Sequence, residues 1–450
     1  MSKSLVKDMT TGNPAKLILK FAIPMLIGNI FQQFYNMVDS IVVGKFVGHD
    51  ALAAVGATGP LNFFIFALSF GLSAGISIVI SQFYGAKDYE NVKKSFATAT
   101  YIIVGSAMIT GVLGFIGSRW LLRLLNTPES IIDQSDLYMK IIFAGILGVT
   151  CYNGMSSVLR ALGDSVTPLI FLAVASLLNV VLDLVFVVSF GWGVPGVAIA
   201  TIISQILAAI GCILYAFKKV KLLHMPLKEF RPDKFIFSKC IKLGLPVAIQ
   251  NALISISTMA LQGVINSFGE IVIASATAAS RIEQLILQPG MSVGVAVASF
   301  TGQNIGANQI ERAKKGFYAA SKIILIFSLI MLPVIYFGGK SIMMLFTSAD
   351  DTQVVEIGVE AIRVTCFFYS FVGMIFVSRS FLSGAGDVKI PMVMGFTEVV
   401  TRVVISQILS IPFRYHGIWW ATALTWFFTC FVGIFRFYSG KWKDKSIIRG

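Results

Sequence analysis

The chain has 450 residues, 56% of them hydrophobic and only 13% charged, with a mean hydropathy of +0.82, a composition that excludes an ordinary soluble domain of this size. Five cysteines without paired spacing and three scattered histidines argue against a disulfide framework and against a zinc or His-based metal site. The net charge of +14 would admit a nucleic-acid binder, so the placement of the basic residues has to decide that point.

Apolar runs of about 20 residues predict transmembrane helices. About twelve are visible: 17–44, 51–83, 92–117, 136–159, 166–189, 195–217, 236–266, 271–303, 314–338, 354–381, 389–412 and 417–438. Backbone polar groups at membrane depth must be satisfied internally, so the expected class is an all-α integral membrane protein. The opening MSKSLVKDMTTGNPAKLILK shows no short apolar run followed by a small-residue cleavage site, and no removable signal is expected.

The first segment carries FQQFYNMVDSIVVG, in which Gln32, Tyr35, Asn36 and Asp39 fall on one helical face. An acid at membrane depth costs roughly 2.5–3.5 kcal/mol and is by default a functional candidate, the alternative being a carboxyl satisfied by its neighbours. On the fifth segment Asn179 and Asp183 are four residues apart and share a face, and Thr201 lies on the sixth. Together Asp39, Asn179, Asp183 and Thr201 offer hard oxygen donors suited to a proton or Na⁺ and unsuited to a soft metal. A polar packing network inside one bundle is the other reading of the same residues.

The long hydrophilic connector 217–242 falls at the middle, and the sequence repeats around it. Lys20 to Pro24 matches Lys242 to Pro246 at an offset of 222; Gln82 to Ala86 matches Gln303 to Ala307 at 221; Leu162-Gly163-Asp164 matches Ala385-Gly386-Asp387 at 223. Gly196 and Ala200-Thr201 are echoed by Gly417 and Ala421-Thr422. Matches in order at nearly one offset indicate duplication. The expected organisation is a six-helix bundle over 1–217, a cytoplasmic linker over 218–241 and a second bundle over 242–450, pseudo-symmetric about an axis along the membrane normal with a cavity between them. Pro24 and Pro246 sit early in the first helix of each half, either as helix-start prolines or as hinges.

The second half offers a different polar set. Asn251, Ser255, Thr258 and Gln262 share a face of the seventh segment, with no acid between Pro246 and Asn266. Thr277, Arg281, Gln284 and Gln288 share a face of the eighth, with Glu283 adjacent, and Glu398 and Arg402 are four apart on the eleventh. Glu283–Arg281 or Glu398–Arg402 pairs could neutralise one another or meet a charged substrate. Phe63-Phe64-Ile65-Phe66 and Phe367-Phe368-Tyr369 could line an adaptable apolar site, or simply face lipid.

With both termini cytoplasmic, 26 Lys and Arg fall on inner segments, among them Arg160 and Arg379, and five on outer loops; five more lie inside helices. That asymmetry satisfies the positive-inside rule, so the basic balance is topogenic and no nucleic-acid partner is expected.

Taken as a set, NMVDSIVVG, PLNFFIFALSFGLSAG, QFYGAKD, LRALGDSVTP with its echo, and LNVVLDLVFV resemble the multidrug and toxic compound extrusion (MATE) family of cation-coupled antiporters, over roughly residues 12–440. The resemblance implies two six-helix bundles splayed in a V, and an ion site in the first bundle carried by Asp39, Asn179, Asp183 and Thr201. Some branches of that family keep acids on the seventh helix for Na⁺ coupling, and this chain lacks them there. The resemblance further implies a multi-pass inner-membrane exporter, not an enzyme, that exchanges hydrophobic or cationic drugs for H⁺ or Na⁺. It implies no cofactor, and the chain is expected to be a monomer in the lipid bilayer. Gln32, Tyr35, Asn36, Asn251, Ser255, Gln262, Arg281, Glu283, Gln284, Glu398 and Arg402 are the candidates for lining its substrate path. Three rivals stand beside it. A lipid-linked precursor flippase should show a more strongly charged cavity. A major-facilitator carrier should show an arginine-rich pattern that the 84–95 loop lacks. A membrane enzyme would need a convergent nucleophile, a metal or paired acids with histidines, and none is legible.

Overall fold

The computed structural model describes residues 5–125, 127–347 and 351–448, and among these every regular element is helical. The helices are α1 (Pro14–Val42), α2 (His49–Gly85), α3 (Tyr89–Leu124), α4 (Glu129–Ala144), α5 (Ile146–Ala161), α6 (Val166–Asp183) and α7 (Gly193–Lys219), then α8 (Lys234–Asn266), α9 (Glu270–Gly306), α10 (Ile310–Met343), α11 (Thr352–Cys366), α12 (Tyr369–Gly384), α13 (Lys389–Phe413) and α14 (His416–Tyr438). Ten are long and apolar enough to cross a membrane, or up to twelve spans if each of two bent pairs counts as one. Large side chains such as Ile116, Phe337, Ile411 and Phe435 are 76–84% exposed, which water would not tolerate in such number and a lipid belt explains.

Two of the expected spans are each bent at a break. The run 136–159 is α4 followed by α5 at an angle of 53°, and 354–381 is α11 followed by α12 at 54°. The first break falls at Gly145, where a Cβ would stand 2.4 Å from the Ile202 side chain; glycine there lets α7 come in close.

The chain divides into two compact units. The first holds residues up to Met9 together with Ile23–Ala252, and the second holds Thr10–Ala22 and Leu253–Gly450. The helices α1 and α8 are therefore each divided between the units. Within the first unit α2 crosses the start of α8 backbone to backbone: a Cβ on Gly71 would stand 2.3 Å from the Ala248 nitrogen, and one on Gly75 2.5 Å from the Cys240 carbonyl. Small residues permit such close crossings, which van der Waals contact stabilises in the absence of a hydrophobic drive between helices. The connector is docked on this unit, with Tyr101 donating to the Phe230 carbonyl (2.9 Å) and Asp233 N–H donating to Thr98 Oγ1 (2.9 Å).

In the second unit α9 packs against α10, α11 and α12, and α13 against α14. An aromatic stack closes its end: Phe317 lies on Phe437 with centroids 3.8 Å apart, and Trp442 Nε1 donates to the Phe437 carbonyl at 2.9 Å.

The duplication is visible in the backbone. Positive φ occurs at Gly48 and Gly269, at Lys87 and Asn308, at Gly163 and Gly386, and at Gly191 and Arg414. Each pair is separated by 221 or 223 residues, the offsets of the sequence repeat. Turns that L-residues seldom adopt recur at matching places in both halves.

Candidate functional site

Both helices that carry the intramembrane acids of the first unit end in a π-helical turn. Val43–Val47 continues α1 one turn beyond Asp39, and Leu184–Ser189 begins immediately after Asp183. The extra residue per turn re-aims the side chains beside it, and such turns are frequent at functional sites. An apolar cluster including Val42, Val43, Ile142, Val187 and Val197 packs around these turns and closes that end of the site.

The polar stripe on α1 is shared between two environments. Tyr35 and Asp39 are half-buried and turn toward α6 and α7, whereas Gln32 and Asn36 are exposed and line a cavity. Asp183 and Asn179 are buried on α6, at 0% and 1% exposure. With its amide oriented so that both ends are satisfied, Asn179 donates to Asp183 Oδ2 (3.1 Å) and accepts from the Thr201 N–H (3.0 Å). Thr201 Oγ1 donates to the Val197 carbonyl at 3.0 Å, which leaves it to accept from the Tyr35 hydroxyl at 3.4 Å. Asp39 and Asp183 act on one another across the space between α1 and α6. Their Oδ1 atoms are buried without a hydrogen-bond partner, and among the described residues no basic side chain forms an ion pair with either carboxyl. The structure thus brings Asp39, Asn179, Asp183, Thr201 and Tyr35 together. Two carboxyls with unmatched buried oxygens in this setting can take up a proton or a small hard cation.

A residue that sequence reasoning missed joins them. Tyr138 on α4 is 8% exposed and lies within electrostatic reach of both acids and Tyr35. A single tyrosine in an apolar run carries no positional signal, so only the packing of α4 reveals it.

The cavity beside the cluster encloses about 520 Å³, within the range of small-molecule sites. It lies within the first unit and is bounded by Pro24, Gln32 and Asn36 of α1, Asn62, Phe63, Phe66 and Phe70 of α2, Asn153 and Arg160 of α5, and Gln205 of α7. Of the aromatic runs singled out in the sequence, Phe63 and Phe66 do line it. Pro24 and Pro246 both stand well inside their helices, so neither is a helix-start proline.

The second-half candidates do not form one site. Ser255 is buried with its hydroxyl unpaired, while Thr258 bonds the Ile254 carbonyl of its own helix and Gln262 donates to Asn266 Oδ1 (2.8 Å). Asn251 is half-buried. Arg281 and Gln284 are exposed, and Glu283 turns instead toward Thr365, Tyr369 and Arg402. The expected ion pairs are also replaced. Glu398 pairs with Arg379 at 2.6 Å, and Arg402 donates to Ser257 Oγ at 3.0 Å. Arg379 and Arg160, two of the basic residues assigned to inner segments, are respectively a buried ion-pair partner and a cavity-lining residue. Each lies within a turn or two of a helix end, where sequence position alone does not separate a loop charge from an inward-facing one.

The MatE family model matches residues 24–185 and again 246–408, one match to each half of the chain. The chain belongs to the MATE family of multidrug transporters. Among its relatives, a probable multidrug resistance protein, YpnP, of Bacillus subtilis (strain 168) is 33% identical over 442 residues, covering 98% of each chain. The multidrug export protein MepA of Staphylococcus aureus (strain bovine RF122 / ET3-1) is 24% identical over 408 residues, 90% of this chain and 89% of that one. A solved structure described as the outward-facing conformation of a multidrug resistance MATE family transporter superposes with a TM-score of 0.89 at 25% identity, covering 99% of this chain and 100% of that one. The protein is a multi-pass membrane transporter of that family.

Proposed function

We propose that this transporter exports hydrophobic, often cationic, organic compounds from the cytoplasm in exchange for H⁺ or Na⁺. The observation that supports the coupling is the Asp39–Asp183 pair, whose buried Oδ1 atoms lack partners and which, among the described residues, forms no ion pair with a basic side chain. Asn179, Thr201 and Tyr35 orient the pair, and the cation enters as a transported substrate of the cycle. The working halves are 1–217 and 242–450, joined by the 218–241 linker, and they alternate access to the two sides of an inner membrane with both termini cytoplasmic. In this cycle substrate binds from the inside and the halves rock outward. Cation uptake at Asp39 and Asp183 then bends α1 at Pro24 and releases the substrate, with Pro246 as the corresponding flexible point of α8. Coupling requires that the cation bind the two states with different affinity. The protein acts as a monomer on this reading.

The test is efflux of a fluorescent cationic dye from proteoliposomes under an imposed pH gradient or an imposed Na⁺ gradient. Efflux driven by one gradient alone names the coupling ion. No response to either from well-folded protein rejects the exchange and favours transport of a lipid-linked precursor by the same architecture.

A further inference from the structure

Arg160 stands at the end of α5 and lines the cavity of the first unit. It is half-buried, its guanidinium donates to Ser157 Oγ at 3.0 Å, and among the described residues no carboxylate forms an ion pair with it. The acid nearest in sequence is Asp164, and it is committed elsewhere. Its Oδ1 accepts from Val166 N (3.0 Å) and Thr167 N (2.9 Å), and its Oδ2 from the Thr167 hydroxyl (2.6 Å). A guanidinium in such a setting presents a fork of N–H donors that matches a carboxylate or phosphate, and leaving it without an anion inside a helical bundle is costly. The other walls of the cavity supply Phe63, Phe66 and Phe70, with ring centroids of the last two 6.2 Å apart, and an Asn62 Oδ1 buried without a donor.

The geometry points to an anion subsite at Arg160: the cavity takes an amphiphile whose carboxylate or phosphate head sits on the guanidinium and whose apolar body lies against the three phenylalanines. This deepens the export reading and rests on it for its place in the cycle. It widens the substrate class from cations to zwitterions and amphiphilic anions.

The experiment compares binding of rhodamine B, a zwitterion with a free carboxylate, with that of its ethyl ester, the same ring system without the anionic head. Binding to the purified full chain is read by fluorescence polarisation. The wild type should prefer rhodamine B, and Arg160→Gln should lower the ratio of the two affinities about tenfold, with Arg160→Lys retaining part of the preference. The ratio is measured on one preparation, so a reduced folded fraction cancels. Competition on the wild type decides the matter if the Gln variant does not fold. Displacement of rhodamine B by dihexanoyl phosphatidic acid ahead of octanoate assigns the head to a lipid phosphate, and the reverse order assigns it to a free carboxylate; either supports the subsite. An unchanged ratio in Arg160→Gln overturns it, as does displacement by octyltrimethylammonium ahead of both anions. Dye efflux that fails in proteoliposomes while this selectivity holds counts against the export reading alone.

Discussion

The two halves of the duplicated chain place charge on equivalent helices, α6 and α13, and treat it in opposite ways. In the first unit Asn179 and Asp183 sit beside Asp39, and the carboxyls have buried oxygens that nothing matches. At an offset of 223 the second half has Arg402 and Ser406. There Glu398 is held by Arg379 at 2.6 Å, and Arg402 lies within reach of Glu283 and Glu398. One scaffold position thus bears a neutral amide next to an acid in one copy and a guanidinium among acids in the other. The first arrangement gains from an added cation, and the second is already neutral within itself. Duplication supplied two equivalent frames, and the proposed coupling assigns ion exchange to the one whose acids lack a basic partner.

The sharpest way to break this comparison is Asp39→Asn. It changes size little and removes one of the two titrating groups, so gradient-driven dye efflux should be abolished while the purified variant stays monodisperse. Efflux at the wild-type rate would show that the pair is structural, like its counterpart in the second unit.

Arg379→Met tests the other side. It takes from buried Glu398 its hydrogen-bonded partner, with Arg402 left at longer range, and breaking a buried pair costs about 3–5 kcal/mol. The apparent melting temperature in detergent should fall markedly, and the double variant Arg379→Met with Glu398→Met should recover most of it. A small effect in the single variant would mean that Glu398 is not held as an ion.

Much of this was legible from sequence because the signals were periodic or repeated. Asp39, Asn179, Asp183 and Thr201 could be assembled because polar residues in apolar runs are few and fall on definite helix faces. The duplication could be read from offsets of 221–223, and the family model matches once in each half. What escaped depends on contacts between helices. The break between α4 and α5 needs Gly145, whose meaning comes from Ile202 on α7. Tyr138 approaches the acids only because α4 packs beside them, and the partner of Glu398 proved to be Arg379 on α12, not Arg402 one turn away. Faces of helices are local facts, but the identity of what lies across from a face is not.

The echoed Gly-Asp turns sharpen the comparison on a smaller scale. Gly163 and Gly386 have φ of +87° and +89°, and each is followed by a buried aspartate two residues ahead of the next helix. Asp387 accepts from Arg436 Nε at 2.6 Å, an ion pair with α14 in which Arg436 is 18% exposed. Asp387→Ala should lower stability by about 2 kcal/mol, the scale of a hydrogen bond between charged groups, read as a shift in thermal unfolding.

Asp164 has the same place in the repeat and a different partner. It caps α6 through the Val166 and Thr167 N–H groups. Losing such a cap costs about 1 kcal/mol, and an asparagine keeps an acceptor in the same place. Asp164→Ala should therefore destabilise by about 1 kcal/mol, and Asp164→Asn by less. The corresponding Asp387→Asn should behave differently, because the amide does not replace the charge facing Arg436. If the two asparagine variants lose equal stability, the two turns are held by the same interaction after all. Unequal losses would establish that one inherited turn serves as a helix cap in the first half and as an anchor for α14 in the second.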